Sequence, residues 1–190
     1  MSQALDLLTG RWSPRAFAPR AIDAADLATL FEAARWAPSC YNGQPWHFVL
    51  ARRGDAAHEA LFPTLMGANQ AWAATAPLLV LNVVNKNFSH NGKPNGWSWY
   101  DLGLAVGNLL AQATHLGILA HQMAGFDAQQ AHARLGLPAD CDAVAVMALG
   151  YLGDPATLPS GVEEKSRDAR ERKPLPTFVH DGAWGKAFTA

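Results

Sequence analysis

From Leu102 to Phe126 the chain carries no formally charged side chain, and this stretch limits the possible folds more than any other feature. A run of that length must be shielded from water on most sides, either by lipid or by protein. Gly103 and Gly107 stand in GxxxG spacing, which suits close helix packing in both settings. The same segment also holds Asn108, Gln112, Thr114, His115, His121 and Gln122, which are costly against hydrocarbon but acceptable in a protein interior or subunit interface. The segment therefore predicts a long helix from about Tyr100 to Leu119, apolar almost all round, with Gly103 and Gly107 on a face that another backbone can approach. Such a helix, buried on all sides, belongs at the centre of the molecule.

A chain of 190 residues supports one substantial core and gives no linker at which to divide it, so residues 1–190 are read as a single domain. With 49% hydrophobic and only 16% charged residues, the surface is short of charge, and part of it is expected to lie against a partner. A net charge of -1 argues against a dedicated nucleic-acid binder and against a polybasic membrane anchor. Cys40 and Cys141 form neither a disulfide framework nor a CxxC motif, as suits a reducing cytoplasm. Met1 to Gly10 lacks a basic stretch followed by an apolar one, so no secretory signal is expected and the protein is read as cytoplasmic. HExxH, paired CxxC, GxSxG, GxxxxGK[ST] and GxGxxG are all missing, which removes support from metal, acyl-enzyme, nucleoside-triphosphate and Rossmann chemistries.

The remaining elements alternate in type. Leu5 to Leu8 reads as a short helix ended by Gly10, followed by a loop from Arg11 to Pro19. Asp23 is placed to cap a helix with Leu27, Leu30, Phe31 and Ala34 at helical spacing, stopped by Pro38. Trp46 to Ala51 reads as a strand, Asp55 to Leu61 as a helix, and Leu78 to Val84, opened by Pro77, as a buried strand. Asn85 to Trp97, rich in Asn and Gly, is a loop long enough to act as a lid. Ala128 to Leu135 is a short helix closed by Gly136, and Ala143 to Tyr151 a third strand ended by Gly153, Asp154 and Pro155. The Pro-dotted tail from Thr157 to Ala190 carries Phe178, Trp184 and Phe188 and is expected to wrap something.

Two places carry candidate chemistry. Arg11, Ser13 and Arg15 lie in the loop after the first helix, and Arg170, Arg172 and Lys173 lie near the far end. Guanidinium groups match phosphate oxygens bidentately and a hydroxyl adds a directed donor, so the two clusters would make a phosphate pocket if they converged. Taken separately, each is also what a solvated charge run looks like. The second place is the turn from Ala37 to Trp46, where Asn42 and Gln44 each offer two donors and an acceptor, the chemistry needed to read the edge of a heterocycle. Asn42 and Gly43 are equally able to do no more than make the turn. Cys40 has no histidine in a recognisable catalytic motif beside it, and its thiol reads as a small half-buried hydrophobe.

In order along the chain stand Arg11-x-Ser13-x-Arg15-x-Phe17, then Ala34-Arg35-x-Ala37-Pro38-Ser39, then Asn42-x-Gln44-Pro45-Trp46-x-Phe48, then Gly150-Tyr151 and Arg172-Lys173-Pro174-Leu175. In order and spacing these resemble the nitroreductase family across nearly the whole chain. The resemblance implies an α+β sandwich, a central and mostly antiparallel sheet flanked by helices, in which two subunits interlock, exchange a C-terminal tail covering residues 155–190, and bind two FMN molecules at their interface.

By the same resemblance, Arg11, Ser13, Arg170 and Arg172 contact the FMN phosphate, Trp12 is a further cofactor-binding residue, and Arg15 lies near the pyrimidine edge of the ring. Pro38, Ser39, Cys40 and Asn42 form a wall supplied by the other subunit, Gln44 is a further cofactor-binding residue, and Asn69 contacts the ring edge. Ala124 and Gly125 correspond to the segment whose backbone N–H reaches flavin N5; several relatives carry Glu at the position of Ala124, so only a backbone role carries over there. The implied activity is ping-pong transfer of electrons from NADH or NADPH through FMN to a small acceptor such as a nitroaromatic or quinone, with Arg15 stabilising the negative charge of the reduced ring. Reductive dehalogenation, flavin fragmentation and non-catalytic flavin carriage stay open as alternatives. Trp97 and Trp99 are candidates to cover the ring, or else to fill the core or an interface.

Overall fold

The strand Leu78–Asn85 (β2) alternates its apolar side chains between two layers, and this alternation organises the fold. Leu79, Leu81 and Val83 join one core cluster while Leu78 and Val80 join the other. A strand apolar on both faces must lie inside its sheet, and β2 does. In the computed structural model, which describes residues 4–189, it sits between Trp46–Arg52 (β1) and Cys141–Gly150 (β4), with Leu119–Met123 (β3) on the far edge in the order β1-β2-β4-β3. All three pairings are antiparallel, with Phe48 opposite Asn82, Val80 opposite Met147 and His121 opposite Ala148.

Helices cover both faces. The helices Ala24–Arg35 (α2) and Ser98–His115 (α5) bury Leu30, Ala34, Ala105 and Leu109 against one side, with Asp6–Gly10 (α1) packed on α5. Ala56–Leu61 (α3), Gly67–Ala73 (α4) and Ala128–Arg134 (α6) cover the other through Leu61, Trp72 and Ala131. The molecule is thus α+β, a four-stranded antiparallel sheet between helical layers, the class of fold that the family resemblance implies.

Two expectations are corrected. The long helix does not reach Leu119: it ends at His115, Gly117 adopts a φ of 68°, and the uncharged run continues as β3. A left-handed residue at that point terminates a helix, and glycine adopts it without a Cβ penalty. Nor is α5 buried on all sides, because the face bearing Gly103 and Gly107 is exposed, and a Cβ added at either would meet nothing within 4 Å. Helix α4 is an addition to the expected elements. It buries Trp72 and Ala73, but its short sequence has no cap or extended period by which to recognise it.

Among the described residues, no helix is long and apolar enough to cross a membrane. The loop after β2 folds back on itself as a tight hairpin, with Asn87 bridged to Pro94 and Asn95 buried. The tail leaves β4 through Gly153, packs Leu158 and Val162 against the body of its own chain, and from Glu171 onward is largely exposed. Residues 1–3, part of the segment read for a secretory signal, and Ala190 at the end of the tail lie outside the described residues.

Candidate functional site

The loop Arg11 to Phe17 runs beside the end of β4. Phe17 bridges Leu152, the Gly153 N–H donates to Ala16 O at 3.0 Å, and the Ala18 N–H donates to Tyr151 O at 2.9 Å. The loop is thereby fixed in place, and the tail returns to it. An Arg170 guanidinium nitrogen donates to the carbonyl of Arg11, and Arg11 Nη1 lies 3.3 Å from Ser13 Oγ. Burial, and then the positive charges of nearby Arg172 and Arg170, push the Arg11 guanidinium below its ordinary value. The two sequence clusters therefore converge. Among the described residues none of Arg11, Arg170 or Arg172 forms an ion pair, so like charges are gathered without a protein counter-ion.

Arg15 is held by groups the sequence did not single out. Its backbone N–H donates to the Glu164 carboxylate at 2.8 Å, the Ala16 N–H to the same carboxylate at 2.6 Å, and its guanidinium to Glu163 O at 3.0 Å. Arg15 Nε is buried with no hydrogen-bond partner. His121 on β3 stacks on Trp72 with ring centroids 4.3 Å apart, and its Nδ1 lies 2.7 Å from Pro14 O, a contact that requires the proton on Nδ1. Burial pushes the His121 imidazole below its ordinary value, partly offset by that hydrogen bond, and so favours its neutral form. Glu164 and His121 have no assigned role in the sequence reading because each works by a contact with sequence-distant backbone or rings. Glu164 has a visible signal, as half of the adjacent acid pair Glu163-Glu164 just before the Arg- and Lys-rich segment 165–173.

Beyond β3, the Gly125 carbonyl accepts from both the Met66 N–H and the Asn69 amide, each at 2.9 Å. A Cβ on Gly125 would lie 2.8 Å from that Asn69 nitrogen, so only glycine fits without a shift. The N–H groups of Ala124 and Gly125 donate to no acceptor among the described residues. Trp12 is half-buried in the loop between Arg11 and Ser13.

The turn Pro38 to Gln44 stands elsewhere. The Cys40 N–H donates to buried Asp101, near the N-terminus of α5, at 3.1 Å, whereas a Cβ on Gly10, next to Arg11, would lie 3.7 Å from Thr114 near the C-terminus. Asp101 and Thr114 are separated by about 20 Å of helix. One chain therefore does not bring the turn and the arginine cluster together. Ser39 and Gln44 spend polar groups within the turn, as the Gln44 N–H donates to Ser39 Oγ at 3.0 Å and Gln44 Nε2 to Asn42 O at 3.2 Å. Pro38, Ser39 and Cys40 line a cavity of about 310 Å³ with Trp97, Tyr100 and Leu104, while Tyr41 packs edge-on against Phe88 at 5.9 Å.

The chain is similar to known proteins over most of its length. A solved structure described as an oxidoreductase containing FMN superposes with a TM-score of 0.88 at 32% identity, covering 97% of this chain and 94% of that one. An uncharacterized 15.4 kDa protein of Mycolicibacterium smegmatis is 34% identical over 146 residues, 73% of this chain and 97% of its own length. A Streptomyces coelicolor protein, provisionally named an NADH dehydrogenase/NAD(P)H nitroreductase, is 26% identical over 168 residues, 78% of this chain and 83% of that one. The model of the nitroreductase family matches residues 8–151, from the end of α1 through all four strands to Tyr151, and the chain belongs to that family.

Proposed function

We propose that this protein is an FMN-dependent oxidoreductase that works as a homodimer, taking electrons from NADH or NADPH and delivering them to a small conjugated acceptor such as a nitroaromatic or a quinone. The observation that carries the proposal is the gathering of Arg11, Arg170 and Arg172 from opposite ends of the chain without a protein counter-ion. Guanidiniums so placed repel one another, and a phosphate monoester turns that repulsion into bidentate attraction. Ser13 adds a hydroxyl, and Trp12 lies between the two. The FMN content of the similar solved structure supports the same reading.

The rest of the site fits a ring system attached to that phosphate. The buried, unpartnered Nε of half-buried Arg15 is a donor and fixed positive charge suited to an electron-rich heterocycle edge. The free N–H groups of Ala124 and Gly125, beside a glycine that admits no Cβ, offer backbone donors to a close, flat group, and Asn69 braces that corner through Gly125 O. FMN, when bound, would supply hydride acceptance and onward electron delivery; the chain's residues orient it, stabilise negative charge and exclude water. The donor and the acceptor would use one open face in turn.

The wall formed by Pro38, Ser39, Cys40, Asn42 and Gln44 would come from a second copy, because within one chain it lies at the other end of α5. Exposed Trp36, Trp97, Trp99 and Tyr100, with the open face of Gly103 and Gly107, supply the apolar surface that such a copy would cover. The exposed tail beyond Arg172 would add to that contact.

Purified protein should be yellow, release FMN on denaturation, sediment as a dimer and, in stopped flow, be reduced by one or both nicotinamides and reoxidised by nitroaromatics or quinones. A colourless protein that takes up no added FMN would sink the proposal.

A further inference from the structure

The arginines of the cluster come from segments 159 residues apart, and their mutual repulsion works against bringing the tail to the loop. One acidic side chain opposes it. The Glu164 carboxylate accepts the backbone N–H groups of Arg15 at 2.8 Å, Ala16 at 2.6 Å and its own neighbour Lys165 at 2.9 Å, so both oxygens are engaged. The Arg15 guanidinium reaches back to the carbonyl of Glu163, and Leu158 and Val162 are seated on the core just upstream. Tail and loop are thus stitched together a short distance before Arg170 and Arg172, the two residues that must arrive at Arg11.

We infer that Glu164 is a positioning residue for the arginine cluster, clamping the tail to the Arg15–Ala16 backbone and so coupling anion binding to docking of the tail. The inference rests on reading the cluster as a phosphate site, but not on which group the phosphate carries. The coupling is reciprocal: an anion that neutralises the guanidiniums favours the docked tail, and a docked tail strengthens anion binding. Charge is what the position requires. A carboxylate satisfies three N–H donors at once, whereas glutamine has one oxygen to share among them and turns an NH2 group toward the others.

The test uses full-length wild type, Glu164→Gln and Glu164→Asp, digested with limiting trypsin, which cuts after Lys165, Arg167, Arg170, Arg172 and Lys186 in the tail. Digests run with no addition, with inorganic phosphate and with FMN, and FMN affinity is measured alongside. Phosphate should slow tail cleavage of wild type several-fold. Glu164→Gln should abolish that protection, weaken FMN binding by about tenfold and leave cleavage of the body of the chain unchanged. Glu164→Asp should restore much of the FMN affinity and provides the comparison if the Gln variant does not fold. If Glu164→Gln binds FMN and protects its tail as wild type does, the inference is overturned while the flavin reading stands. If phosphate protects the wild-type tail but FMN does not bind, the clamp stands and the flavin reading falls. If neither anion binds or protects, both fall.

Discussion

The two ends of α5 support two loops of opposite construction. Near its C-terminal end, the loop from Arg11 to Phe17 is held by contacts that cross most of the chain, to Glu164, Arg170, His121, Thr75 and Gly153. Near its N-terminal end, the turn from Pro38 to Gln44 is held mainly by its own hydrogen bonds, and Tyr41, Asn42 and Gln44 adopt φ of 52°, 53° and 45°. Left-handed backbone at residues other than glycine costs stability and persists only where surroundings enforce it. The arginine end is thus assembled within one chain, while the turn is an exposed, strained edge whose role under the proposed function is completed by another copy.

The largest expected effect comes from loosening the assembled end. A Cβ on Gly153 would stand 2.5 Å from the carbonyl carbon of Phe17 and 2.7 Å from its oxygen. Gly153→Ala should therefore cost about 3 kcal/mol in urea denaturation and displace the arginine loop. A cost near zero would mean that the loop is not gripped there. Next, Arg170→Ala should weaken FMN binding by about 10- to 100-fold, from loss of a charge-assisted contact, while Asn42→Ala weakens it far less at high protein concentration. Fluorescence titration at two protein concentrations separates them. Equal losses, independent of concentration, would erase the contrast between the two loops.

A smaller change is expected at the turn. Gln44→Gly relieves a left-handed glutamine at an exposed position, and thermal or chemical unfolding should show a gain of about 0.5–1 kcal/mol. If FMN affinity falls as stability rises, the strain serves the site; if both improve, the turn is only a connector.

The smallest effect is in pH. Burial lowers the His121 imidazole below its ordinary 6.5, so the unfolded chain binds the proton more readily than the folded one. This contribution is fully present above that value and is lost as pH falls through it toward the lowered folded value. His58 is lowered for the same principal reason, so His121→Asn should flatten only part of the acid-side decline in melting temperature. An unchanged profile would show that His121 is not held neutral against Pro14.

Three of the four strands and most helices were legible because each depends on periodicity within a few residues. Leu27, Leu30 and Ala34 repeat at helical spacing and are buried, and Leu79, Leu81 and Val83 alternate and share one core. The failures have local causes. The uncharged run hid the change from α5 to β3, because hydrophobicity alone does not distinguish a buried helix from a buried strand; Gly117 was the available signal. The openness of the α5 face with Gly103 and Gly107 was hidden because a sequence shows which side chains avoid water, not which molecule shields them.

The same division runs through the candidate site. Residue types and local turns determined by themselves that Arg11, Ser13, Arg15, Arg170 and Arg172 had the chemistry to hold an anion, and that residues 38–44 would form a turn of amides. Only the tertiary structure decided that the arginines meet, that Glu164 is the stitch between their segments, and that the turn lies a helix-length away. Propensities and periodicities act over a few residues, whereas closing a loop of some 159 residues depends on how the sheet, the helices and the tail pack together.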